Sequence, residues 1–187
     1  MGKRMMEEKK MNLVIREEQE EDYLTIEQVI RSAFATMPFS DKKEQELVSR
    51  LRESTEYVPK LSLVAIESVS KQIIGHILLS KCQIVNPNQY VQALALAPVS
   101  VHPEFQNKGV GSTLIKESLQ KAKLLNYDSV IVLGHPNYYP KFGFKKASLW
   151  NIKVPFEVPE ELFMALELRE NALTNVSGKV EYSSAFF

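Results

Sequence analysis

The chain has 187 residues, a length typical of one domain. Hydrophobic residues make up 44% and charged residues 25% of it, an ordinary globular composition that excludes a wholly disordered chain. Lys plus Arg and Asp plus Glu number 23 each, so the formal net charge is zero. The sequence therefore lacks the basic excess that is typical of proteins that bind nucleic acid or anionic membranes.

The N-terminus and the single cysteine bear on location. Residues 1–11 carry charges but no apolar core, so we expect a flexible leader rather than a secretory signal, followed by one domain over residues 12–187. No apolar run approaches the ~20 residues that span a bilayer. Cys82 alone excludes an intramolecular disulfide and a cysteine-rich zinc site. These features predict a cytoplasmic protein.

The N-terminal third predicts one strand and two helices. A short strand over residues 12–16 is followed by Asp22, which is suited to cap a helix that ends before Pro38. Ser40 or Asp41 is suited to cap a second helix. Apolar residues recur at helical spacing in both segments: Leu24, Ile26, Val29, Ile30, Ala33 and Phe34 in the first, and Leu47, Val48 and Leu51 in the second.

An antiparallel hairpin is predicted next. Residues 61–66 and 73–79 are apolar and β-branched. A turn signal at residues 86–88 then leads into a long apolar run over residues 93–101. Pro98 has no N–H to donate, so we expect the hydrogen-bond ladder to break near it and to leave backbone groups without partners.

The most regular helix pattern of the chain spans residues 109–125. Shorter elements follow, in chain order: a buried strand over 130–133, a short helix over 138–142, an extended segment from Phe144, a strand over 163–168 and a last edge strand over 178–187. This order predicts a mixed sheet flanked by helices, in the α/β or α+β class. An exposed strand near the C-terminus is compatible with a homodimer.

The segment between the broken strand and the strongest helix carries the clearest functional signal. Gly109 and Gly111 stand at the helix start, where glycine weakens a helix but lets a ligand approach the backbone closely. The free N–H groups and the partial positive charge of a helix N-terminus suit a phosphate group. Lys108 could add a full positive charge.

Two better-known phosphate loops do not match this segment. A P-loop requires Gly-Lys-Ser/Thr, which does not occur, and a dinucleotide loop requires a third glycine where Leu114 stands. Seven residues, 102–108, also separate the strand from the first glycine. Taken alone, Gly-x-Gly is compatible with a flexible loop before an ordinary helix, or with another kind of phosphate or nucleotide site.

Two motifs together resemble the GNAT acetyltransferase superfamily. Residues 106–111, Gln-Asn-Lys-Gly-Val-Gly, are preceded by Val101-His102-Pro103 and are similar to its coenzyme A signature, Gln/Arg-x-x-Gly-x-Gly/Ala. Residues 139–144, Tyr-Pro-Lys-Phe-Gly-Phe, are similar to its Tyr-x-x-x-Gly-Phe element. The required helix and strand lie between them. The resemblance covers about residues 12–168, and the C-terminal segment is similar to a bacterial subgroup of predicted acetyltransferases.

The resemblance implies a mostly antiparallel mixed sheet that splays between its fourth strand, 93–101, and its fifth. The acyl-coenzyme would lie in that opening, with one N–H near the break facing the thioester oxygen. Tyr139 would protonate the departing thiolate. The implied coenzyme-binding residues are those that would pair with the pantetheine arm, Val99, Ser100 and Val101, and those around the pyrophosphate, Gln106, Asn107, Lys108, Gly109, Val110, Gly111 and Ser112.

The implied activity is N-acetyl transfer from acetyl-CoA directly to a primary amine, through a tetrahedral intermediate and without a metal. The acceptor could be a small molecule or a protein amine, and the loop over residues 34–41 would line its pocket. The alternative is a non-catalytic acyl-CoA sensor or interaction module. Strand 93–101 contains no carboxylate or histidine, so a base acting through water is implied, with His135, Glu104 and Glu67 as side-chain candidates.

Overall fold

A nine-stranded mixed sheet forms the centre of the computed structural model, which describes residues 11–187. Three α-helices pack against it: α1 Tyr23–Phe34, α2 Glu44–Arg52 and α3 Val110–Leu124. The strands are β1 Leu13–Glu17, β2 Ser62–Glu67, β3 Ile73–Asn86, β4 Gln89–Val101, β5 Ser129–Leu133, β6 Lys145–Lys146, β7 Ile152–Lys153, β8 Phe163–Glu167 and β9 Gly178–Glu181.

The strand order confirms the predicted fold class. Strands follow one another as β1-β2-β3-β4-β5-β8-β6, and β9 pairs with both β3 and β7. Every pair is antiparallel except β4–β5 and β7–β9. No helix within residues 11–187 is long and apolar enough to cross a bilayer.

The sheet splays between β4 and β5, as predicted. These two parallel strands share only two register pairs, Leu94 with Val130 and Ala95 with Ile131. On its other edge β4 shifts register against β3 beside Pro98. Since β4 and β5 run in the same direction, the loops that follow them lie at the same end of the opening.

The two faces of the sheet have different covers. Leu94 and Leu96 point towards α3, whereas Ala93 and Ala95 point to the opposite face. A Cβ at Gly75 of β3 would lie only 3.0 Å from Leu114 of α3, so this glycine lets the helix pack closely on the sheet. The opposite face is covered by α1 and α2 near β2 and β3, and by the C-terminal segment near β4, β5 and β9.

The helices form where the apolar spacing predicts them, but the predicted side chains do not cap them. Asp22 takes the N-cap position of α1 as predicted, yet its carboxylate makes no capping bond, because it accepts hydrogen bonds from Arg16 and from the Gln19 N–H. Ser40 and Asp41 accept N–H groups in the turn before α2, whose N-cap position is Lys43.

The predicted edge strand over residues 178–187 is also wrong. Only Gly178–Glu181 is a strand, and it is paired on both of its edges. It is therefore not an edge strand of the sheet. The predicted leader lies outside the described residues except for Met11, which is half-buried against the core.

Candidate active site

The start of α3 presents backbone donors that the protein leaves free. Gly109 takes the N-cap position with φ +83°, a left-handed conformation that glycine adopts readily, and no side chain caps the helix. The first three N–H groups of α3, those of Val110, Gly111 and Ser112, donate to no other described residue. With the helix dipole behind them, they form a site suited to an anion.

The free edge of β4 lies beside this helix start. The His102 N–H donates to the Ile74 carbonyl, and hydrogen-bonded pairs alternate along an antiparallel ladder. Ser100 therefore pairs with β3, whereas the backbone groups of Val99 and Val101 point the other way. On that side β5 has already diverged, so an extended ligand can pair with this edge.

Three predicted residues take positions that the motif alone does not specify. The Gln106 Nε2 donates to the Val101 carbonyl at 3.0 Å, and this bond ties the loop to the end of β4. The Lys108 Nζ donates to the Glu104 carbonyl at 2.9 Å and so turns back towards its own loop. The Ser100 side chain is buried and points to the face opposite α3.

A cavity of about 500 Å³ joins the helix start to the free edge of β4. All ten predicted coenzyme-binding residues line it except Ser100 and Lys108. It also has lining residues that sequence reasoning did not assign to the coenzyme: Met37, Phe105, Tyr138 and Lys141. The sequence signal that could have identified Lys141 is its positive charge within the Tyr-x-x-x-Gly-Phe element. Its Nζ lies 4.0 Å from the Tyr138 ring centre.

Tyr139 lies behind this cavity rather than in its lining. Its ring packs edge-on against Phe144 at 5.6 Å, and a side chain at Gly134 would overlap it. Burial, and to a lesser degree Tyr138, raises the pKa of Tyr139 above its ordinary value. The phenol is therefore protonated at neutral pH, and its hydroxyl donates to no other described residue.

Comparison with known proteins places this geometry in a family. The acetyltransferase (GNAT) domain model matches residues 14–147. The chain belongs to the GNAT acetyltransferase family. It is therefore an enzyme of the N-acetyltransferase class.

Three relatives of this acetyltransferase come from bacteria. It is 35% identical to the uncharacterized N-acetyltransferase YjhQ of Escherichia coli K12 over 67% of this chain and 69% of that protein. The crystal structure of Escherichia coli YhbS in complex with CoA has a TM-score of 0.83 and 28% identity, covering 94% of this chain and 92% of that one. A Brucella melitensis GNAT acetyltransferase in complex with acetyl-CoA has a TM-score of 0.76 and 32% identity, with coverage of 95% and 99%.

The side-chain candidates for a general base lie outside the cavity of this acetyltransferase. His135 is exposed, and its Nδ1 accepts the Asn137 N–H. Glu67 accepts two N–H groups of a hairpin turn, which together lower its pKa. Glu104 lines a separate groove. Within residues 11–187, no three His, Cys, Asp or Glu side chains lie close enough together to hold a metal ion.

Proposed function

We propose that this enzyme binds acetyl-CoA in the opening between β4 and β5 and transfers the acetyl group directly to a primary amine. One observation carries the proposal: a free strand edge at Val99 and Val101 lies beside an uncapped helix start in the same cavity. The CoA complex of YhbS and the acetyl-CoA complex of the Brucella enzyme support the choice of ligand.

The pyrophosphate fits the start of α3. A Cβ at Gly111 would lie 3.2 Å from the Tyr138 hydroxyl, and both residues line the cavity, so a side chain there would narrow the cavity at the helix start. The N–H groups of residues 110–112 would each donate to phosphate oxygens. Lys141, which lines the same cavity, supplies a positive charge that the neutral backbone lacks.

The pantetheine arm fits the free edge of β4 as an additional strand. Its amide groups would pair with the backbone of Val99 and Val101, which places the thioester near the break at Pro98. The Val99 N–H would donate to the thioester oxygen. A backbone donor held in place by the sheet stabilises the oxyanion that develops in the transition state.

The reaction needs no covalent enzyme intermediate. The amine nitrogen attacks the thioester carbon and forms the C–N bond, and the tetrahedral intermediate then breaks its C–S bond, with the electron pair going to sulfur. We propose that Tyr139, whose buried ring packs directly behind Tyr138 of the cavity lining, donates its phenolic proton to that sulfur. The burial that makes Tyr139 a weaker acid also makes a thiolate a stronger base, so the transfer remains feasible.

The amine proton would leave through water. The cavity that contains Val99 has no carboxylate or histidine in its lining. A neutral amine attacks, and the proton that it loses on forming the amide passes to water molecules in the opening, which return a proton to the Tyr139 phenolate. Small-molecule and protein amines both fit this scheme. We propose a cytoplasmic location for the enzyme.

Titration calorimetry with acetyl-CoA and release of CoA thiol with a panel of amines test the proposal. We expect saturable binding together with amine-dependent thiol release. Tyr139→Phe should retain binding and lower kcat about 100-fold, the usual effect of removing a general acid. Tyr138→Phe removes the neighbouring hydroxyl, which lines the cavity, and should lower kcat less than Tyr139→Phe.

Each contrary result has a definite meaning. Absence of acetyl-CoA binding by folded protein would refute the coenzyme site. Binding without thiol release for any amine would indicate an acyl-CoA sensor. A larger loss of kcat in Tyr138→Phe than in Tyr139→Phe would move the acid role to the residue that lines the cavity.

A further inference from the structure

A second cavity opens on the sheet face opposite α3, at the same splay between β4 and β5. Its volume is about 240 Å³. We name it the aromatic cavity, because its outer wall consists of four aromatic residues: Phe156, Tyr182, Phe186 and Phe187. Its floor is formed by Ala95, Leu96 and Ala97 of β4 together with Ile131 and Leu133 of β5.

The aromatic cavity adjoins the place where the acetyl group would lie. Its floor ends at Ala97, and the coenzyme cavity begins at Val99, so Pro98 alone separates them along β4. In the proposed function the coenzyme occupies the α3 side of the opening. An acceptor must then approach from the other face, and its nitrogen must come within about 3–3.5 Å of the thioester carbon. The atoms attached to that nitrogen would lie in the aromatic cavity.

The chemistry of the lining is uniform. No charged side chain lines the aromatic cavity, and its single side-chain polar group is the Tyr182 hydroxyl. Phe156 stacks on Tyr182 with ring centres 6.4 Å apart, and Tyr182 contacts Phe186 at 5.1 Å. These side chains favour an apolar substituent over a second ammonium group, because they offer an ammonium group no counter-charge.

We infer that the acceptor is an amine whose nitrogen is attached to a short arm with an aromatic or branched aliphatic group, and that this group binds in the aromatic cavity. This inference rests on the proposed function and adds the acceptor class to it. A dry cavity of about 150 Å³ holds a benzene ring, so a phenyl group fits the available volume. Polyamines and aminoglycosides fit these side chains less well, because each carries several cations.

The test compares acceptors on the intact chain. We expect kcat/KM with acetyl-CoA to be about 10- to 100-fold higher for 2-phenylethylamine than for 1,4-diaminobutane, the factor set by burying one phenyl group. Phe156→Ala, at the exposed rim, should remove most of that preference by raising KM for 2-phenylethylamine. Phe156→Leu should restore part of it. Titration with acetyl-CoA should give the same Kd for all three proteins.

Tyr90→Ala is the matched control, because Tyr90 is an exposed aromatic residue that lines neither cavity. Several results would overturn the inference while leaving the coenzyme site intact. These are faster turnover of 1,4-diaminobutane, no effect of Phe156→Ala on the ratio of the two amines, or acetyl-CoA binding without turnover of 2-phenylethylamine. Turnover of octanoyl-CoA in preference to acetyl-CoA would also overturn it, because the cavity would then hold the acyl chain. Failure to bind acetyl-CoA would instead refute the proposed function itself.

Discussion

The opening between β4 and β5 leaves backbone polar groups without partners within residues 11–187, whereas a buried cluster around Glu18 pairs its charged side chains. At the opening, N–H groups of α3 and of the β4 edge have no partner among the described residues. In the cluster, Glu18 accepts hydrogen bonds from Arg52 at 2.8 Å and from Tyr57 at 2.6 Å, and it lies 3.2 Å from His76. The two regions are linked, because His76 pairs with Ser100 of β4.

We interpret the opening as a region that binds a ligand and the Glu18 cluster as a region that stabilises the fold. Charges buried within a fold must be paired, so the Glu18 cluster holds β1, α2 and β3 together. Neutral backbone donors at a cavity cost less to leave exposed to water, and they remain available to a ligand. The exception in the cluster is the Nδ1 of His76, which is buried without a partner.

The largest effect is expected from Glu18→Gln. The substitution leaves the Arg52 guanidinium, whose side chain is only 8% exposed, without its counter-charge. Removing one partner of a buried ion pair costs about 3–5 kcal/mol, and chemical denaturation at pH 7 measures that loss. Glu17→Gln is the control, because it breaks an exposed pair with Lys121 that is worth less than about 1 kcal/mol. Equal losses in the two variants would contradict the assigned role of the cluster.

Gly111→Asp should weaken acetyl-CoA binding without lowering the unfolding free energy. A carboxylate at the start of α3 would repel the pyrophosphate, and we expect the Kd for acetyl-CoA to rise about 100-fold, which is about 2.7 kcal/mol. The unfolding free energy should be unchanged or slightly higher, because an acidic side chain suits the first turn of a helix. Calorimetry and a denaturant titration on the same sample measure both quantities. Gly111→Asn separates steric from electrostatic effects, and unchanged binding in Gly111→Asp would refute the proposed anion site.

Gly109→Ala compares the loop before α3 with the first turn of that helix. Gly109 has φ +83°, where an L side chain costs about 1–2 kcal/mol, yet a Cβ there would contact nothing within 4 Å. We therefore expect a lower unfolding free energy, with a smaller rise in the Kd for acetyl-CoA than in Gly111→Asp. A loss of affinity greater than that of Gly111→Asp would show that the loop, rather than the helix start, holds the coenzyme.

The smallest effect is expected on the unfolding free energy when the pH is lowered. Burial, with a contribution from Arg52, lowers the pKa of His76 despite the nearby Glu18, so the folded protein keeps this histidine neutral. The unfolded chain takes up a proton near pH 6.5, so this stability is fully present above that pH and is lost as the pH falls below it. One proton gives at most about 1.4 kcal/mol per pH unit.

Denaturant titrations between pH 7 and 5 measure this slope, and His76→Gln should remove it. Glu18 acts at lower pH. Burial opposes its ionisation, but the hydrogen bonds from His76, Arg52 and Tyr57 outweigh burial and hold its pKa below the usual range. Its contribution is therefore lost only below about pH 4.5. An unchanged slope in His76→Gln would show that other groups cause the acid sensitivity.

Sequence reasoning located the functional elements better than it located individual side chains. Helix spacing and the Gly-x-Gly turn predicted α3 and its free N–H groups, and Pro98 predicted the break in β4. The same reasoning identified the N-cap position of α1 but not the bonds of its side chain, because Asp22 has a stronger partner in Arg16, which lies in a different element. It placed the N-cap of α2 at Ser40 or Asp41 rather than at Lys43. It also took residues 178–187 for a free edge, since a strand pattern does not reveal how many partners the strand has.

The sequence by itself determined where the backbone lacks hydrogen-bond partners. Proline removes a backbone donor, and glycine at a helix start has no side chain to cap the free N–H groups. Both effects are local and do not depend on distant parts of the chain. Only the tertiary structure decided which distant side chains meet. Glu18, Arg52 and His76 come from three separate elements, and the aromatic cavity joins β4 and β5 to residues 156 and 182–187. Those contacts depend on how the sheet brings remote segments together, which local residue patterns do not encode.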